Sequence, residues 1–598
     1  MSVLSSVNCS DDILKLNTKE LESLAEDLRE EIVSVVNTNG GHLASNLGIV
    51  ETTIALYRSF DFKKDRLIFD VGHQCYPHKI LSDRKQTFHT VRTDGGVSGF
   101  PDRSESVYDA FTAGHAGTSI SAALGYCAAR DRIGEDYYVV AVVGDGSLSN
   151  GLNLEALSAK TYKPKKLIVI LNDNGMSISK NDNGFYRFLS KHTARKGYVK
   201  GKRRIKKIFG NSFITKGLVK FRDFIKRVIG RNNYFENYGF KYVGVVDGNN
   251  IKKLTKILDN VKEASKEKAI FLHVKTTKGK GHEQAEEHAD VFHGVGAKFS
   301  HDDGDFAIAL GEKLNELIDN DKKIVAITAA MKSGTGLSAV EDKHPDNFYD
   351  VGIAEEFAVT FAAGMAAGGL KPFVCIYSTF LQRSYDQIIH DVCLQNLPVV
   401  FCLDRAGLVG SDGKTHQGVF DLSYLSHIPN LTVLAPSSPS ELKDMLDYAV
   451  KLNSPVAIRY PKSSKGERKS LSMQDGAWER IKNGDKATIL AVGPRMLELA
   501  LNISEKRQGV GVINARTVKP LCEKTLVEIA NATVITLEEN SVISGFGSLV
   551  SSFYSDKSMN VKVIRLGVKD EFVSHGSLEE QMKQNGLTLE NIETFLLD

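Results

Sequence analysis

What most constrains this chain is a rhythm of short runs, apolar on both faces, separated by helical stretches. "DYYVVAVVG" has no polar face, "NLEALSAKTY" suits a helix, and "KKLIVILND" is again apolar on both sides. Together they read as a β-α-β unit of a parallel sheet covered by helices, because a strand with no polar face needs a partner layer on each side. The rhythm returns in "KKIVAIT", "KPFVCIY", "LPVVFCLD", "LTVLAP" and "PVAIRYP", and a third time in "KATILAVG", "GVGVINAR", "ATVITLEEN" and "VKVIRLG". The expected class is α/β, as three successive domains with parallel or mixed sheets. Polar stretches after Ala297 ("KFSHDDGDF") and after Pro461 ("KSSKGERKSLSMQDGAW") mark the joints, giving blocks 1–300, 301–465 and 478–598.

Composition narrows the class of protein. With 598 residues, 42% hydrophobic and 25% charged, the chain is in the globular range. No run approaches the roughly 18 apolar residues of a membrane span. The opening "MSVLSSVNCSDDILKLNTKELESLAEDL" lacks a basic-then-apolar signal and is too acidic for a transit peptide, so a soluble cytoplasmic protein is expected. Seven cysteines without a CxxC pair read as reduced thiols, not as a disulfide framework or a zinc knuckle. The net charge of +3 hides a block between Lys191 and Arg231 with 15 Lys or Arg against one acid, Asp223. That local excess of 14 leaves 3 − 14 = −11 for the remaining residues. The block shows no recognition motif, so it reads as a basic mobile insertion at about 180–240 that could draw in small anions, and no nucleic-acid partner is expected.

The stretch "GDGSLSNGLNLEALSAKTYKPKKLIVILNDN" sets Asp145 and Asn174 at two strand ends, 29 positions apart. Strands of a parallel sheet end at a common edge, and that is where α/β proteins hold ligands. Asp145 offers carboxylate oxygen, Asn174 amide oxygen, and the turn at Met176 a backbone carbonyl. Three hard ligands leave octahedral room for two phosphate oxygens and a water, the coordination of a magnesium ion bridging a diphosphate. Gly144, Gly146 and Ser147 are small enough to let backbone N–H groups approach the phosphates.

The Gly-Asp-Gly and distant Asn resemble the cofactor motif of the thiamine-diphosphate enzymes. That cofactor also needs a protonated, semi-buried glutamate that hydrogen-bonds its aminopyrimidine ring, so that the proton at thiazolium C2 can be removed. "NFYDVGIAEEFAVTFAAGMAAGG" supplies Glu355 at a helix start. From about Leu14 onward, "GGHLASNLGIVETTIAL", "DVGHQCYPHKIL", "AGHAGTSIS", "NDNGMSIS", "YSTFLQRSYDQIIHD" and "DRAGLVGSDGKTHQG" resemble the motifs of the 1-deoxy-D-xylulose-5-phosphate synthase family. Transketolase is the nearest relative with the same order of three α/β domains.

The resemblance implies roles position by position. His42 and His73 match histidines of the reaction centre. Gly114, His115 and Ala116 match the segment beside the cofactor, while Asp145, Gly146, Ser147, Asn174 and Met176 match the magnesium and diphosphate set. Glu355 matches the activating glutamate and Phe380 the aromatic against the aminopyrimidine. Tyr377, Arg383, Arg405, Asp412, His416 and Arg459 match the acceptor pocket, with Asp412 and His416 counted as catalytic and Arg405 and Arg459 as the main phosphate partners. Three positions depart from the family pattern: Ala116 replaces Ser, Phe357 stands where His is usual, and His282 stands at a cofactor-side position usually held by Tyr. The implied activity is decarboxylative carboligation of pyruvate with D-glyceraldehyde 3-phosphate by a homodimer, using thiamine diphosphate and Mg2+. A transketolase-like ligase with another donor, or a non-catalytic cofactor-binding regulator, are the alternatives.

Overall fold

The computed structural model describes residues 2–159, 162–175, 234–301, 304–464, 473 and 477–596. Met176 and the basic block 191–231 lie outside the described residues. The chain forms two compact units, residues 1–89 with 100–299, and residues 90–99 with 300–598.

The first unit is built on a five-stranded sheet of β1 (Arg66–Phe69), β2 (Val139–Gly144), β3 (Leu167–Asp173), β4 (Lys241–Asp247) and β5 (Ile270–Lys275). All pairs are parallel, in the order β1-β2-β3-β5-β4. The side chains of β3 are buried along its whole length, which is the two-sided burial its apolar run calls for. Each fully buried Leu, Ile or Val there stabilises by roughly 1.5 to 3 kcal/mol. The register sets Gly144 opposite Asn172, so Asp145 and the turn after Asp173 leave the sheet at the same edge. The expected helix forms as Gly151–Ser158, capped by the Asn150 side chain accepting from Leu152 N–H, and Ala159 is already extended.

The second unit carries two sheets. The larger contains β6 (Ile324–Thr328), β7 (Phe348–Asp350), β8 (Lys371–Tyr377), β9 (Val400–Asp404), β10 (Thr432–Leu434), β11 (Val456–Arg459) and β15 (Thr517–Lys519), in the order β15-β10-β11-β9-β8-β6-β7. The other contains β12 (Glu479–Lys482), β13 (Ala487–Ala491), β14 (Val510–Asn514), β16 (Thr533–Ser541) and β17 (Val563–Val568), in the order β12-β14-β13-β16-β17. Both are mixed, since β15 and β12 pair antiparallel. One apolar core joins them, with Ile327, Phe401 and Val433 in the same cluster as Leu490, Ile513 and Phe546. The later two sequence blocks thus share a core, and β15 from the last block extends the sheet of the middle one. Residues 90–99 also join this unit, held by Arg92 against Asp412 at 2.7 Å and by His575 against the Gly96 carbonyl at 3.0 Å. No described helix is long and apolar enough to cross a membrane, and the seven cysteines are unbridged.

Candidate active site

In the first unit, Asp145 begins a short helix directly after β2 and is 5% exposed. Its Oδ2 accepts the Gly175 N–H at 3.0 Å, and the same N–H reaches Asp173 Oδ1 at 3.2 Å. Gly175 has φ 78°, a left-handed conformation that favours glycine. Burial first, and then the Asp173 carboxylate, push the Asp145 carboxyl up to about 7. Lys278 is buried nearby and is lowered to about 8 by that burial, against the pull of Asp145 and Asp290. Carboxylate and amide oxygens at one edge make a hard-cation donor set, so Asp145 and Asn174 fit a divalent ion.

The segment Gly114–Ala116 is set by the turn that follows it. Asp70, fully buried, accepts N–H groups from Gly117 at 2.8 Å and Ser119 at 3.0 Å. Gly117 has φ 84°, and a β-carbon there would lie 2.1 Å from Asn150 Oδ1, so only glycine fits. Ala116 is 8% exposed, and Gly146 and Ser147 are buried at the start of the helix after β2.

Three imidazoles meet in this unit. His42 and His73 have ring centroids 5.8 Å apart, and His293 lies 5.7 Å from the first and 5.1 Å from the second. Asn46 ties their loops together, its Nδ2 donating to the carbonyls of His42 at 2.6 Å and His73 at 2.8 Å. Burial and then Lys278 lower His73 to about 3, and the same causes, in that order, hold His293 well below its ordinary value. Both rings are neutral near pH 7, able to donate from one nitrogen and accept at the other. His282 caps the helix Glu283–Glu287, its Nδ1 accepting the Ala285 N–H at 3.3 Å.

In the second unit, Glu355 is the first residue of the helix Glu355–Ala367 and is 5% exposed. Its Oε2 is buried without a hydrogen-bond partner among the described residues. Burial pushes this carboxyl up to about 7, opposed by Arg383. A carboxyl whose protonated form burial favours, with an oxygen unpartnered among the described residues, fits a hydrogen bond to a nitrogen heterocycle. Phe380 stacks on Tyr377 at 5.8 Å and meets the edge of His416 at 5.5 Å. Burial lowers His416, Asp412 opposes that shift, and Thr415 Oγ1 lies 2.8 Å from its Nδ1.

The two arginines stand at the ends of neighbouring strands: Arg459 is the last residue of β11, in register with Leu403 of β9, and Arg405 comes directly after β9. Arg405 lies 4.8 Å over the Tyr377 ring and donates to Asp404 Oδ1 through Nη1 at 2.8 Å. Its φ of 58° turns the chain sharply at the strand end, a strained conformation for arginine. Arg459 is 3% exposed, its Nε 3.2 Å from Asp421 Oδ2 and its Nη2 3.1 Å from the Glu539 carbonyl.

Compared with known proteins, residues 4–276 match the family model described as 1-deoxy-D-xylulose-5-phosphate synthase. Residues 304–466 match the transketolase pyrimidine binding domain and 476–592 the transketolase C-terminal domain. The 1-deoxy-D-xylulose-5-phosphate synthase of Clostridium tetani is 48% identical over 97% of both chains. The chain belongs to the 1-deoxy-D-xylulose-5-phosphate synthase family. The synthase of Carboxydothermus hydrogenoformans, also 48% identical, covers 99% of this chain and 98% of its own. Among solved structures, a transketolase from Campylobacter jejuni covers 97% of this chain at 18% identity, with a TM-score of 0.42. The chain is thus a transketolase-type transferase of the synthase family with an α/β fold.

Sequence reasoning missed His293 and Lys278. His293 sits in "DVFHGVG", far from the other two histidines and without a spacing signal. Lys278 was findable, because "KTTKGKG" directly follows β5 at the sheet edge already chosen for the ligand.

Proposed function

We propose that this chain joins pyruvate to D-glyceraldehyde 3-phosphate, giving 1-deoxy-D-xylulose 5-phosphate and carbon dioxide, the entry step of non-mevalonate isoprenoid synthesis. The bond between carbons 1 and 2 of pyruvate breaks, a carbon–carbon bond forms to the aldehyde carbon, and the aldehyde oxygen takes up a proton. Thiamine diphosphate, when bound, supplies the nucleophilic carbon and the electron sink for this exchange. Asp145, Asn174 and the Met176 carbonyl would hold Mg2+ against its diphosphate, with Gly114 to Ala116, Gly146 and Ser147 lining the approach. The observation that carries the reading is the Glu355 Oε2, unpartnered among the described residues. Its protonated carboxyl would hydrogen-bond the aminopyrimidine nitrogen, and Phe380 would support the ring. His42, with neutral His73 and His293, passes protons to and from substrate oxygens, and His416 with Asp412 does so at the acceptor. Arg405, with Tyr377, Arg383 and Arg459, binds the aldehyde's phosphate.

We extend the reading to a homodimer in the cytoplasm, where triose phosphate is made. Phe357, 55% exposed and stacked on Phe361 at 5.3 Å, and Leu394, 72% exposed, supply apolar surface for a second copy, and light scattering gives the mass. For the reaction, pyruvate labelled with carbon-13 at positions 2 and 3 is mixed with the aldehyde phosphate and the products are weighed by mass spectrometry. A doubly labelled pentulose phosphate with unlabelled carbon dioxide is expected. Equal product from a ketose phosphate donor without carbon dioxide would overturn the assignment.

A further inference from the structure

Asp173 stands between the two residues read as metal ligands, yet its carboxylate faces a side-chain relay of its own. Its Oδ2 is 2.7 Å from His273 Nε2, and His273 Nδ1 is 2.9 Å from the Tyr242 hydroxyl. The hydrogens assign themselves: Nε2–H donates to the carboxylate, leaving Nδ1 to accept from Tyr242. His273 is fully buried on β5, the strand paired with β3, so the relay is anchored in the sheet and not in a loop. The other oxygen of Asp173 accepts the Gly175 N–H, which Asp145 Oδ2 accepts too. A single N–H therefore couples the relay to the candidate metal carboxylate, and Asn174 lies in the span held at both ends.

We propose that Tyr242, His273 and Asp173 are positioning residues that hold the turn 173–175 so that Asp145 and Asn174 share one magnesium ion, an inference that rests on reading those two as its ligands. Two effects act together. The relay fixes the turn, and Asp173 adds a second negative charge beside the cation without ligating it. Groups that orient metal ligands in this way change metal affinity by roughly 10- to 100-fold when removed.

The experiment measures thiamine diphosphate binding to the full chain by calorimetry across a series of Mg2+ concentrations. His273→Phe should raise the half-saturating Mg2+ by about 10- to 100-fold. His273→Gln, which keeps an N–H near the position of Nε2, should recover most of that loss. With magnesium and cofactor saturating, kcat should fall less than the midpoint moves. A lowered melting temperature and kcat with an unmoved midpoint would mean a merely structural role and would overturn the proposal. If His273→Phe does not fold, Asp173→Asn carries the same test, and a midpoint unchanged from wild type overturns it. Asp145→Asn separates the two readings. If it leaves the midpoint unmoved, the metal site itself is wrong. If it moves the midpoint while the His273 variants do not, only the relay fails.

Discussion

The hydroxyl of Tyr377 occupies the space that a side chain at residue 334 would need: a β-carbon built on Gly334 would stand 2.2 Å from that oxygen and 3.2 Å from Met331 Cε. If Tyr377 lines the acceptor site as proposed, Gly334 shapes that site without offering it any functional group. Gly334→Ala should push the phenol aside, and with it the Arg405 guanidinium stacked at 4.8 Å. The specificity constant for the aldehyde should fall at least about tenfold, the scale of 1.4 kcal/mol. On a Tyr377→Phe background the same alanine should cost much less, because the clashing oxygen is gone. Additive losses in this double-mutant cycle would show that the phenol has room to move.

If Asp145 and Asn174 anchor the diphosphate as proposed, Glu355→Gln should leave thiamine diphosphate bound. Deuterium exchange at its thiazolium C2 should slow by about two orders of magnitude, the scale of losing a positioned acid. Exchange at the wild-type rate would hand the role to another carboxyl, with Glu356 the first to examine.

The same carboxyl predicts a pH dependence of stability in the protein without cofactor. Its value rises from the usual 4.5 to about 7 because burial disfavours the anion. Between those values the folded chain keeps a proton that the unfolded chain releases, so wild type loses stability as pH rises through the window. Glutamine has no proton to lose. The melting temperature of Glu355→Gln minus that of wild type should therefore climb from pH 5 to 7 and level off above. A flat difference would place the carboxyl in contact with water.

The two arginines should separate by readout. Arg405→Ala should raise KM for glyceraldehyde 3-phosphate and spare that for pyruvate, because only the aldehyde carries a phosphate. A charge-assisted contact of about 2 to 3 kcal/mol corresponds to roughly 30- to 150-fold in specificity constant. Unphosphorylated glyceraldehyde should be almost indifferent to the change, and equal losses for both aldehydes would make the arginine structural.

Arg459→Ala should do more, because it also strands the buried Asp421 carboxylate that Nε meets at 3.2 Å. Removing one member of a buried pair costs about 3 to 5 kcal/mol, so the melting temperature should drop along with aldehyde affinity. Adding Asp421→Asn should recover part of the stability and none of the affinity. Full stability in the single variant would show that Asp421 is already satisfied by Ser378 and the backbone.

The sequence by itself determined the layered α/β class, since runs such as "LIVIL" and "VVAVV" have no polar face and must be covered on both sides, and they became the central strands β3 and β2. It also determined that Asp145 and Asn174 leave neighbouring strands at one edge, because a short β-α-β unit makes its two strands adjacent, and that Glu355 opens a helix. Strands such as β12, "ERIK", carried no such signal: their pattern is mixed and their pairing comes from a partner far along the chain. Only the tertiary structure decided that residues 90–99 and β15 pack with segments more than 80 positions away. It likewise decided that His293 joins His42 and His73, that His273 braces Asp173, and that Arg459 is buried against Asp421. The physical reason is the range of the forces involved. Burial on both faces and short connections are written into neighbouring residues, whereas the company a histidine or arginine keeps depends on which distant segments the sheets bring together, and that company decides its charge.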